Sequence, residues 1–196
     1  MKKWLALLMI VGGIILIIYP FFKEHQYNKE LRELENALSL VANAENDHAE
    51  LEELEDFKFS KEELSNVMEL EIPYIHIKQL VLNRTTDENL NIALTQIKEN
   101  QQPGEGNFTI AGHRGYRDGR HFSNLEQVPI GENVFLHAKN KVYKYEIVSS
   151  EIIEATDIEV LDNQAGKNEI TLITCTVSGK QRVAVKGILK EILDRE

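Results

Sequence analysis

The chain holds a single thiol. Cys175 closes the stretch EITLITC (169–175), and Arg182 follows seven positions later, beyond the short turn TVSGKQ. A nucleophilic thiol needs access at a strand end or loop, a neighbour that favours the thiolate, and a donor for the oxyanion that attack creates. Alternation predicts a strand here, with Leu172 and Thr174 on one face and Ile173 and Cys175 on the other. With one cysteine no intramolecular disulfide can form. Cys175 is therefore a small buried hydrophobe, a metal ligand short of partners, or a nucleophile.

Four histidines accompany it in the C-terminal part. His76 and His137 fall within strand patterns, and His121 lies in a polar loop with no special context. His113 differs, because IAGHRG ends a strand with small residues on both sides, where other chain can approach the ring. Each histidine also admits a plain structural or exposed role, and Arg182 could be a rim charge on a strand. Spacing alone does not bring Cys175, His113 and Arg182 together.

The elements that must position them follow from the patterning. EIPYIHI, FTIAGH, NVFLHA, KVYKYEIVSSEII, ITLITCTV and RVAVKGILKEIL read as strands divided by Gly, Asn and Asp turns, one of them QPGEGN. Between the first two, TTDENLNIALTQIKEN predicts a short helix, with Thr85 and Glu88 as capping box and Leu90, Leu94 and Ile97 on one face. Repeated strands with little helix between them predict a mostly antiparallel β-barrel or sandwich.

Ahead of this domain the texture changes twice. LALLMIVGGIILIIYPFF (5–22) carries no charge between Lys3 and Lys23, with Trp4 and Tyr19 near its ends. About 18 to 20 helical residues cross a hydrocarbon core. No small-x-small cleavage site follows, so an uncleaved anchor is expected rather than a signal peptide. Lys2 and Lys3 place the N-terminus in the cytoplasm and the rest outside. Residues 23–71 then carry fifteen acidic against five basic side chains. Leu31, Leu34, Leu38 and Val41, then Leu51 and Leu54, repeat at helical spacing around a break at NAEND, which predicts a solvated stalk rather than a coiled-coil seam. The net charge of −10 thus belongs largely to the stalk. No basic patch with interleaved aromatics argues for nucleic acid. The expected organisation is a tip and anchor at 1–22, a stalk at 23–68 and an extracellular domain at 69–196.

TLITC, preceded by NFTIAGHRG and followed by QRVAVKG, closely resembles the sortase family of Gram-positive transpeptidases. The likeness runs from Leu70 to Leu193. It includes Ile72 and Pro73, the ENL of Glu88 to Leu90, and PGEGN at Pro103 to Asn107. The resemblance implies a closed eight-stranded barrel with short helices. It implies Cys175 as nucleophile, His113 as acid/base and Arg182 as oxyanion donor, with Ala111, Thr171 and Ile173 lining the groove. It further implies secreted proteins with an LPxTG-type signal as substrates and an amine of the cell-wall cross-bridge as acceptor. The alternative of another kind is an inert surface-binding domain of the same fold.

No DPF or DPW lid motif precedes the domain, and the segment before EITLITC is compact, which suits a class A or class D-like member. No cofactor is expected. Calcium activation occurs in some class A members, and Glu99, Glu105, Asp157 and Glu159 are the carboxylates that could serve it. The arginines at 114, 117 and 120 border the histidine loop without an assigned role.

Overall fold

The computed structural model describes residues 2–44, 59–115 and 119–195. Two compact units divide the chain, Met1–Phe59 and Ser60–Glu196. The first contains one long helix, α1 (Lys2–Ala44). Within it Leu7–Val41 has an apolar window of mean hydropathy 1.9, long enough to cross a membrane. Leu8, Met9, Leu16, Ile17 and Phe21 all lie open on its surface, as in a helix apolar all round. The helix continues through the first leucines of the expected stalk. Residues 45–47 of the expected break, Leu51, Leu54 and Arg117 lie outside the described residues.

The second unit takes in Ser60–Met68 as well as 69–196. It opens with α2 (Lys61–Ser65), capped reciprocally by Ser60 and Glu63: Glu63 N donates to Ser60 Oγ at 3.2 Å, and Ser60 N donates to Glu63 Oε2 at 3.0 Å. Eight strands follow: β1 (Met68–Ile72), β2 (Ile77–Leu82), β3 (Leu94–Gln96), β4 (Asn107–Ala111), β5 (Asn133–Ala138), β6 (Lys141–Ile153), β7 (Glu169–Cys175) and β8 (Arg182–Asp194). They close into a barrel in the order β1-β2-β3-β4-β7-β8-β6-β5. Closure removes the unpaired edges that an open sheet would expose. Leu70, Phe108, Ile110, Tyr145, Leu172 and Val185 are fully buried within its core.

Two expectations change. EIPYIHI is not one strand. Pro73–Ile75 form a 3-10 turn and His76 takes a left-handed φ of 53°, which folds β1 back onto β2. Proline cannot donate to a ladder, so the alternating pattern breaks where Pro73 falls. The helix after it is also shorter than expected. It is α3 (Asp87–Ile92), and its cap is Thr86, whose hydroxyl accepts from Asn89 N at 3.1 Å. Thr85 instead meets Thr95 Oγ1 at 2.7 Å and donates to the Gln96 carbonyl at 2.8 Å. Leu94 leaves the helical face to enter the barrel core, because β3 is needed between β2 and β4.

Most neighbouring strands are antiparallel. β2–β3 and β4–β7 are parallel. The second of these matters for chemistry, because it brings the C-terminal ends of β4 and β7 to one rim.

Candidate active site

β7 alternates as its sequence requires. Ile170 and Leu172 point into the core, while Ile173 and Cys175 are half-buried on the other face. Cys175 is the last residue of the strand and pairs directly with Arg182, the first of β8. Directly opposed residues of an antiparallel pair carry their side chains on the same face, with Cβ atoms about 5 Å apart. The turn between them is held by Thr176 N donating to the Gln181 carbonyl at 3.0 Å and Gly179 N to the Thr176 carbonyl at 2.9 Å. Gly179 has φ +72°, where a Cβ is unfavourable. Among the described residues the Arg182 guanidinium bonds through Nη1, donating to the carbonyls of Gly179 at 3.2 Å and Gln181 at 3.1 Å. Its planar fork is thereby oriented by the turn.

His113 reaches the same rim along β4. Ala111 pairs with Ile173 in the parallel ladder, and Gly112 N donates to the Ile173 carbonyl at 3.1 Å. The buried Thr174 hydroxyl returns a bond to the Gly112 carbonyl at 2.9 Å. His113 and Cys175 therefore stand two residues beyond one shared pair. A Cβ on Gly112 would lie 2.5 Å from Leu94 Cδ2 and 2.8 Å from Phe122 Cδ2. Only glycine allows the strand end to pack this closely, which accounts for the small residue before the histidine. His113 itself is exposed.

The groove residues divide. Ala111 and Ile173 are adjacent and half-buried, which suits a floor. Thr171 is fully buried, and its hydroxyl donates to Asn107 Oδ1 at 2.7 Å. It lies on the same face of β7 as Ile173 and Cys175 but is covered there rather than open to a groove, its hydroxyl held by the bond to β4.

Patterning did not flag the next two features. Asn107 N donates to Asn163 Oδ1 at 2.9 Å, and Asn107 Nδ2 donates to the carbonyls of Val160 at 3.1 Å and Asp162 at 3.3 Å. Lys98 Nζ donates to the Leu161 carbonyl at 2.9 Å and to Asn163 Oδ1 at 3.2 Å. These bonds clasp the loop before β4 to the loop before β7. Partial burial lowers the Lys98 pKa, and the Asp162 carboxylate opposes that shift. Glu99, Glu105, Asp157 and Glu159 are all exposed, and among the described residues no three carboxylate, His or Cys groups gather as a metal site. The Lys98 ammonium bridges the two loops that carry these four carboxylates.

The second missed feature is His121. It is only 5% exposed, has a left-handed φ of 49°, and places its ring 6.2 Å from that of His113 at 87°. Burial, then Arg120, then His113 push its pKa down to about 4. Elsewhere on the loop, Arg114 Nη2 donates to Glu126 at 2.8 Å, a pair that raises the arginine pKa and lowers that of the carboxyl. His137 bonds Glu71 at 3.0 Å, and His76 caps a turn.

The family model described as "Sortase domain" matches residues 70–190, more than half of the chain. The chain belongs to the sortase family. It is 29% identical over 196 residues to Sortase A of Bacillus anthracis, covering 94% of this chain and 92% of that one. It is 31% identical over 184 residues to Sortase A of Staphylococcus aureus, covering 89% of each. The crystal structure of Listeria monocytogenes sortase A superposes with a TM-score of 0.63 at 27% identity, covering 67% of this chain and 92% of that one. The chain is thus a sortase, a cysteine transpeptidase. The closed barrel expected for this sortase is the one observed.

Proposed function

We propose that this sortase cleaves an LPxTG-type sorting signal between Thr and Gly and transfers the new acyl end to an amine of the cell-wall cross-bridge. The observation that carries the assignment of residues is the convergence of Cys175, Arg182 and the Gly112–His113 strand end on one rim.

The thiolate of Cys175 attacks the Thr carbonyl carbon, forming a C–S bond and placing the carbonyl electron pair on oxygen. The Arg182 guanidinium meets that oxyanion with its N–H donors. As the tetrahedral species collapses, the C–N bond breaks and the glycine nitrogen takes a proton from the His113 imidazolium. The incoming amine then attacks the thioester and gives a proton to His113, and the Cys175 thiolate departs. Water in place of the amine gives hydrolysis.

Residues 1–22 form the cytoplasmic tip and anchor, 23–68 the stalk, and the catalytic domain faces outward. This arrangement is supported by the exposed apolar face of α1 and by Lys2 and Lys3 before it. No cofactor takes part, and the Lys98 clasp serves in place of calcium.

The test is mass spectrometry of the protein incubated with an LPETG peptide and triglycine. An LPET–GGG product, absent with Cys175→Ala, is expected. No product and no thioacyl adduct on Cys175, across a panel of sorting peptides, overturns the reading and leaves a binding domain.

A further inference from the structure

The loop after β4 folds back so that two histidine rings meet. Phe122 N donates to the His113 carbonyl at 3.0 Å, and Arg114 pairs with His121 in an isolated antiparallel bridge. Phe122 is fully buried and lies against the space where Gly112 has no Cβ. The backbone on either side of the two histidines is therefore fixed, and His121 adopts a left-handed conformation uncommon for a residue with a side chain. The consequence is an edge-on contact, with ring centroids 6.2 Å apart and planes at 87°. That lies within the range and orientation aromatic pairs prefer.

We infer that His121 is a positioning residue: its buried ring holds the exposed His113 imidazole in the orientation required at the Cys175 rim. A buried histidine could be only a core filler. Here, however, the ring contact is with the side chain to which the acid/base role falls, and an exposed imidazole otherwise has free rotation about both its side-chain torsions. The chemistry of the neighbour also suits the task. Burial and the nearby Arg120 hold the His121 pKa well below the ordinary imidazole value, so its ring stays neutral near neutral pH. A neutral aromatic ring tolerates and attracts an adjacent imidazolium, whereas a second cation would repel it.

The inference rests on the assignment of His113 for its kinetic part, but not for its structural part. The experiment uses the full-length chain in detergent micelles, labelled at histidine, and follows the ring resonances of the six histidines, with His113 assigned by its loss in His113→Ala. In His121→Ala the His113 ring resonances are expected to shift and broaden. Turnover of an LPETG peptide should fall about tenfold in kcat with KM little changed, as for a misplaced reacting group. His121→Phe, which restores a ring without a titrating nitrogen, should return both towards wild type. Unchanged His113 resonances and kcat in the alanine variant overturn the inference. So does a loss that phenylalanine does not recover while both variants melt as wild type does. If His121→Ala fails to fold, His121→Phe decides alone: wild-type His113 resonances support positioning by a ring, and displaced ones overturn it. Full turnover by His113→Ala would instead remove the acid/base assignment, and the resonances would still report on the contact.

Discussion

Cys175 and Arg182 are the terminal pair of the β7–β8 ladder, directly opposed across a six-residue turn. The thiol and the guanidinium are thus placed by strand register, without any contact between side chains having to form. A one-residue slip would send one of them to the barrel interior. Arg182→Ala should therefore lower kcat by about 10²- to 10³-fold, the usual cost of an oxyanion donor. The melting temperature should move little, since among the described residues the side chain bonds to its own turn. Arg182→Lys keeps the charge but not the fork and should recover only part of the rate. Steady-state kinetics beside a thermal melt separate these outcomes, and near-wild-type kcat for Arg182→Ala would remove the arginine from the mechanism.

Gly112→Ala places a methyl against Leu94 and Phe122 at distances no real Cβ holds. Overpacking of this kind costs about 1–3 kcal/mol. The strand end must move to relieve it, and His113 moves with it. Urea unfolding should show the loss of stability, and turnover at a temperature where the variant is folded should show a further fall in kcat.

Lys98→Met removes the ammonium that joins Leu161 and Asn163 while keeping the apolar stem. Amide hydrogen exchange should accelerate at residues 161–163, where those acceptors lie. Exchange elsewhere in the barrel should hold. For the wild-type enzyme, EDTA should leave turnover unchanged. Strong activation by added calcium would contradict the proposal that Lys98 substitutes for it.

The depressed pKa of His121 makes stability depend on pH. Unfolded, the imidazole titrates near 6.5; folded, it titrates near 4 because of burial, Arg120 and His113. Between these values the unfolded chain binds more protons, so stability falls as the pH is lowered through that window and is fully present above it. The contribution lost is at most about 3 kcal/mol. Thermal melts at pH 7 and pH 4.5 should differ less for His121→Phe than for wild type. Equal differences would show that His121 does not carry the effect.

The amino-acid sequence alone determined the local features of the site. Alternation in EITLITC placed Cys175 at a strand end with Leu172 on the opposite face, and the uncharged run from Trp4 to Phe22 announced one long apolar helix. These are properties of consecutive residues, and periodicity reports them directly. Where local preference was ambiguous, packing decided. Leu94 fits a helical face by spacing, but the barrel needs a strand between β2 and β4, and its side chain is buried there. Thr171 looked like groove surface until Asn107, sixty-four residues earlier, took its hydroxyl. His121 lay in a polar loop by composition, yet a backbone bridge to Arg114 carries it into the interior beside His113. Such contacts join residues distant in sequence or turned by unusual backbone angles, and no periodicity encodes them. The thiol and its strand were legible in order of residues, while the meeting of β4, β7 and β8 at one rim exists only once the barrel has closed.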